Sequence, residues 1–195
     1  MNFIEPEHIQ ILRDTLRKFI KNEMPKSLVS KWDQEDYFPK DVFKKLVDLG
    51  VTSLTVPEEY GGSGIDMVAT IATIEELSSR SVGIASGFIQ CACYAGLNIL
   101  ESGSIEQKNE LLPRVANGKL LFSYGISEPD VGGDVASVST IARLENDEVI
   151  INGSKRWCSG ALIADYIFAL VRSGPADERY RNLSIVLIPP DIKGV

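Results

Sequence analysis

The stretch Leu120-Leu121-Phe122-Ser123-Tyr124-Gly125-Ile126-Ser127-Glu128-Pro129 decides the fold, because the period of the hydrophobic pattern changes there. Upstream, apolar residues recur at helical spacing. Ile9, Leu12, Leu16, Phe19 and Ile20 form one stripe between charges, with Ile11 to its side. Pro39 opens a second helix with Val42, Phe43, Leu46, Val47 and Leu49 inward, and Gly50 ends it. Gly61-Gly62-Ser63-Gly64 makes a turn, and Asp66 is placed to cap a helix over Met67–Ser79. An uncharged helix follows. Ser104 and Gln107 then have capping-box spacing for a helix through Val115, which Gly118 closes.

Downstream the period becomes two. Leu121–Ser127, Ser137–Leu144, Glu148–Ile151, Ser154–Ser159, Asp165–Arg172 and Leu183–Ile188 read as strands, and Pro189-Pro190 stops the last. Asn146-Asp147 reads as one turn, and Asn152-Gly153 as the strongest hairpin signal. Gly174–Arg181 is a polar loop. Helices followed by strands give an α+β fold: an all-helical bundle over 1–119, then an antiparallel β-barrel-like domain over 120–195. Nothing after these strands closes the sheet edge or covers its remaining face, so the β domain is expected to be incomplete.

The bulk numbers narrow the function classes. The chain has 195 residues, 44% hydrophobic and 24% charged, as in an ordinary folded protein. Its 27 acids against 20 bases, a net charge of −7, argue against a phosphate-backbone binder, so no nucleic acid is expected. Cys91, Cys93 and Cys158 are too few for a disulfide framework and are expected to be buried free thiols. No metal site is expected. Met1–Arg13 has no apolar core of the signal-peptide kind. Ser81 to Leu100 is uncharged over twenty residues, about the length of a bilayer span, yet it carries Gln90, Asn98, two serines and three glycines. A buried bundle helix, no membrane and a cytoplasmic location are the expectation.

Two segments carry candidate chemistry. Tyr124–Asp134 runs from a strand into a Pro/Gly loop. Alternation puts Tyr124 and Ile126 on one face, and the backbone amides of Gly132 and Gly133 are open to close approach by a ligand. A tight turn without a ligand satisfies the same spacing. Lys155–Gly160, read as a strand, puts Trp157 and Ser159 on one face and Cys158 on the other. A flat indole beside a hydroxyl suits a planar heteroaromatic ligand, and a core tryptophan suits the pattern equally.

Taken together these segments resemble the acyl-CoA dehydrogenase family. Its aromatic-x-apolar-Thr/Ser-Glu-Pro and Gly-Ser-Asp pattern is matched from Tyr124 to Asp134, and its Asn-Gly-x-Lys-x-Trp pattern from Asn152 to Ser159. Val56–Gly64, and Gly103–Lys108 with Leu112-Pro113, are similar to its helical signatures. The resemblance implies FAD as cofactor, with Tyr124, Ile126 and Ser127 on one side of the flavin ring, and Trp157 and Ser159 on the other. Gly132 and Gly133 fall by the phosphates and the thioester. It implies α-proton abstraction from an acyl-CoA thioester with hydride transfer to flavin N5, in fatty acid metabolism. A homo-oligomer, usually a dimer or a homotetramer, and an electron-transfer protein as acceptor are implied as well.

The family's base is a glutamate in a C-terminal helical domain, which no residue here matches. No catalytic residue is therefore named, and Glu58, Glu59 and Glu128 are expected to cap, pair or position. His8 and Glu35-Asp36 are expected to be solvated. Ser86–Gln90 matches a helix that borders the acyl pocket in the family. Gly133 stands where the family has serine, and Asp130 where it has a small residue. The competing readings are an acyl-CoA oxidase or flavin monooxygenase on the same scaffold, and a non-catalytic subunit or fragment.

Overall fold

The computed structural model describes residues 4–175 and 177–195. Met1–Phe3, where the signal-peptide reading begins, and Ala176 of the polar loop lie outside them. The chain divides into two compact units, Met1–Leu121 and Phe122–Val195.

The first unit is helical. Its helices are α1 (Glu7–Glu23), α2 (Lys26–Gln34), α3 (Lys40–Val47), α4 (Met67–Ser78), α5 (Val82–Ser102) and α6 (Ile105–Ala116). Prolines 6, 25 and 39 stand immediately before the first three, where a missing N–H costs nothing. The sequence reading passed over α2, a short helix that buries Val29 and Trp32. Gly50 ends the α3 segment in the left-handed region, and Leu49, expected inward, is exposed. The Ala69 N–H donates to Asp66 Oδ1 at 2.8 Å at the start of α4. Ser104 and Gln107 make both arms of the capping box on α6.

Ile9 on α1 packs against Ala69 and Ala72 of α4. Beside this seam Glu76 is buried, accepting from Arg13 at 3.0 Å and from Arg17 at 2.8 and 3.0 Å. Burial pushes the Glu76 carboxyl up. The guanidinium hydrogen bonds outweigh burial and hold it below its ordinary value.

Among the described residues, α5 is the one helix long and apolar enough to cross a membrane, and 56% of its apolar stretch is buried. It packs as a core helix, with Ile84, Phe88, Cys91, Ala92 and Ala95 buried. Residues Ile89–Leu97 widen to a π-helix. There the Thr55 hydroxyl donates to the Ala92 carbonyl at 2.8 Å, one way a widened turn keeps its carbonyls satisfied. Of the three free cysteines only Cys91 is buried. Cys93 and Cys158 are half-buried, and burial raises both their thiols.

The second unit is one open five-stranded sheet: β1 (Phe122–Gly125), β2 (Ile141–Glu145), β3 (Glu148–Asn152), β4 (Tyr166–Arg172) and β5 (Leu183–Ile188). The pairing is mixed rather than wholly antiparallel. β1 pairs parallel with β4, and β2 meets β4 parallel at Ile141 and Arg172, while β2/β3 and β4/β5 are antiparallel. Ala142, Ala169 and Val171 form its core with Ile151, Ile167, Val186 and Ile188 against them.

Two sequence expectations fail here. The hairpin turn is Asn146-Asp147, with φ of 49° and 63°, not Asn152-Gly153. Asn152 is still paired with Ile141, and a side chain at Gly153 would fall within 2.6 Å of the Thr140 backbone, so close packing requires that glycine. Ser154–Ser159 is not a strand. Trp157 lies at φ 63° and the Ser159 N–H turns back to the Trp157 carbonyl at 2.8 Å, which ends any extended run.

Candidate functional site

The site grows from the end of β1. Phe122 and Tyr124 lie beside Tyr166 and Phe168 in register, and the Tyr124 and Phe168 rings stack at 5.2 Å. This aromatic row anchors β1, each buried ring contributing roughly 1.5–3 kcal/mol. The strand stops at Gly125, so Ile126 lies beyond it and the expected Tyr124/Ile126 face does not form. Tyr124 shares its face with Phe122 instead.

The chain then makes a tight turn. Glu128 N–H donates to the Val131 carbonyl at 2.9 Å, and the Val131 N–H returns to the Glu128 carbonyl at 3.2 Å. Pro129 at the first corner pre-sets the φ such a turn needs. Glu128 itself points inward and is 5% exposed. Its Oε1 accepts from Thr140 N–H (2.9 Å), Thr140 Oγ1 (2.5 Å) and Lys155 Nζ (2.8 Å), and its Oε2 from Ser139 N–H and Oγ (both 2.7 Å). Burial opposes ionisation. The hydrogen bonds from Lys155, Ser139 and Thr140 win and hold the carboxyl far below the usual carboxylate range.

Lys155 draws the second segment in. Its ammonium also donates to the Ile126 carbonyl at 3.3 Å, and the Arg156 N–H donates to the Ser127 carbonyl at 2.8 Å. Ser123 Oγ donates to the Ser159 carbonyl at 3.0 Å. The two segments, distant in sequence, are thus adjacent. Ser127, Glu128, Pro129, Asp130, Val131, Gly132, Arg156 and Trp157 line a depression of about 310 Å³.

Of the sequence candidates, Ser127, Gly132 and Trp157 meet in this depression. Tyr124, Ile126, Gly133 and Ser159 do not line it. The Trp157 indole is 73% exposed, so the core-tryptophan reading is excluded. Gly132 and Gly133 have open space where a side chain would stand. Asp134 pairs with Arg179 and accepts from Ser137 Oγ at 2.6 Å; the Arg179 contact lowers its pKa. His8, read as solvated, contacts Asp66 at 3.0 Å while remaining exposed.

Sequence reasoning missed Thr140 and Ser139 as the partners of Glu128, since nothing local marks them. It also missed Arg156, whose guanidinium carbon lies over the Trp157 ring at 4.5 Å.

Comparison with known proteins gives this geometry a context. The family model for the acyl-CoA dehydrogenase N-terminal domain matches residues 6–119, and that for the middle domain matches residues 123–195. The probable acyl-CoA dehydrogenase YngJ of Bacillus subtilis is 30% identical over 100% of this chain and 51% of its own length. The mitochondrial short-chain specific acyl-CoA dehydrogenase of Rattus norvegicus is 32% identical over 97% of this chain and 46% of its own. A solved glutaryl-CoA dehydrogenase from Mycobacterium smegmatis, in complex with FADH2, superposes with a TM-score of 0.84 at 27% identity, covering 97% of this chain and 47% of that one. The chain thus spans about half the length of the relatives it matches. With two consecutive family models accounting for nearly all of its residues, the chain belongs to the acyl-CoA dehydrogenase family.

Proposed function

We propose that this chain supplies part of an FAD site for the α,β-dehydrogenation of an acyl-CoA thioester. The observation that carries this reading is the hydrogen bond from Arg156 N–H to the Ser127 carbonyl, which sets Trp157 beside the Ser127–Gly132 turn. The residues fit a flat, anionic cofactor. A large indole is held out of the core, in a backbone region costly for any residue but glycine. Two glycines leave the adjoining loop open, and the Glu128 charge is answered by Lys155 instead of facing the depression.

When bound, the flavin accepts the hydride that leaves the acyl β-carbon. The chain's own residues bind and orient. The Ser127 hydroxyl, which makes no protein hydrogen bond among the described residues, is available to donate to a ring heteroatom. Trp157 offers an apolar wall that keeps water from one side. Tyr124 fixes β1 through the aromatic row, and Ser159 sits in the exposed turn after Trp157. Glu128 cannot take the α-proton, because both its oxygens are engaged. The base is therefore sought outside this chain, as the family resemblance implies. The resemblance also supports a homo-oligomer that passes electrons to a protein acceptor.

The test is the visible spectrum of the purified protein during anaerobic titration with acyl-CoA thioesters of graded length. Bleaching of the oxidised flavin band is the expected result. A protein that takes up no FAD, even when co-expressed with a C-terminal partner carrying the carboxylate, overturns the proposal.

A further inference from the structure

Most polar groups around the 310 Å³ depression are already engaged. The Glu128 carboxylate is surrounded by donors, the Glu128 and Val131 N–H groups close their own turn, and the Arg156 N–H serves Ser127. What remains is a set of donors. The Arg156 guanidinium is engaged by no protein acceptor among the described residues. Its recorded contact is with the Trp157 ring at 4.5 Å. A guanidinium held over an aromatic face keeps its in-plane N–H groups free. The Ser127 hydroxyl and the Gly132 N–H likewise have no hydrogen bond among the described residues. Against these stands one lining acid whose carboxylate is not so engaged, Asp130, at the exposed corner of the turn.

A surplus of donors, one cation and a flat aromatic surface selects an acceptor-rich anion. A guanidinium fork matches two oxygens of one phosphate, and open glycine backbone admits a phosphate group closely. We infer that Arg156, with Ser127 and Gly132, forms a subsite for a phosphate ester. It would take the diphosphate of the flavin dinucleotide or that of the acyl-CoA. Arg156 leaves its place over Trp157, or reaches from it, to pair with the phosphate oxygens. The inference rests on the flavin and thioester reading above and adds to it a residue that the motif treats as variable.

The test compares the wild-type protein with Arg156→Gln and Arg156→Lys by titration calorimetry, after circular dichroism has shown each variant folded. Four ligands are used: FAD; riboflavin, which has the ring and no phosphate; acyl-CoA; and the acyl-pantetheine thioester, which lacks the phosphates. Loss of a charge-assisted pair should weaken binding by roughly tenfold or more. If the cofactor supplies the phosphate, Arg156→Gln weakens FAD by that factor, riboflavin is unchanged and Arg156→Lys recovers part of the loss. If the substrate supplies it, the same contrast falls between acyl-CoA and acyl-pantetheine.

Equal losses for phosphate-bearing and phosphate-free ligands, or no loss for any, overturn the inference. Wild-type protein that binds no flavin overturns the flavin reading instead. Inorganic pyrophosphate then decides the subsite: binding weakened tenfold in Arg156→Gln supports it, and no binding to wild type overturns it.

Discussion

At the scale of single residues, Glu128 has the setting of a structural carboxylate. Glu128→Gln removes the charge that answers Lys155 and leaves that ammonium buried without a partner, at a cost of about 3–5 kcal/mol. Urea denaturation followed on the β unit checks this. The pH dependence follows from the lowered folded pKa. The stabilising contribution is complete above the ordinary glutamate value of 4.5 and is lost progressively as pH falls from there toward the folded value. In Glu128→Gln that acid-side slope should flatten. Trp157 is the opposite case, a residue held at a cost. Trp157→Gly relieves its φ of 63° and should stabilise the unit by about 1 kcal/mol, while flavin affinity measured by titration falls. A variant that gains stability and keeps its flavin affinity would remove Trp157 from the site.

Among the elements, the helical unit was legible because its signals are local. The Asp66 cap, the Ser104/Gln107 box and the Gly50 terminus each lie within a few residues of the helix they bound. The β unit was less legible, because its decisive contacts cross between strands. Asn152-Gly153 has the composition of a hairpin turn, yet Thr140, twelve residues earlier, is what requires that glycine. Asn146-Asp147 makes the actual turn with both residues at positive φ. Asp147→Gly should therefore stabilise the β2–β3 hairpin by about 1 kcal/mol, read as a shift in the β unit's denaturation midpoint. The Lys155–Ser159 strand failed for a similar reason. Period two was present in composition, but Lys155 is drawn into Glu128 and Trp157 is turned out of the extended region. Ser127, Gly132 and Trp157 were thus named correctly as neighbours on a wrong local geometry.

Over the whole molecule, the switch of period near residue 120 and the two compact units describe one boundary from two directions. Each unit has its own buried apolar cluster, Ile9 with Ala69 and Ala72 in one, Ala142 with Ala169 and Val171 in the other. A fragment of residues 1–121 should accordingly show a cooperative helical melt by circular dichroism, and a melt without cooperativity would contradict it. The sheet face lined by Ile151, Ile167, Ala169 and Ile188 opens onto a depression of about 580 Å³, the largest described. No signal inside the chain reveals what covers it, just as none reveals the proton-abstracting carboxylate.

The exposure of Trp157 also has a spectroscopic consequence. The chain has two tryptophans, and the other, Trp32, is buried on α2. Trp32 emits from an apolar enclosure and is shielded from iodide. Trp157 emits to the red and is open to quenching. One unlabelled sample therefore carries a separate optical reporter in each unit, and the one in the β unit stands in the wall of the depression where the cofactor is proposed to bind.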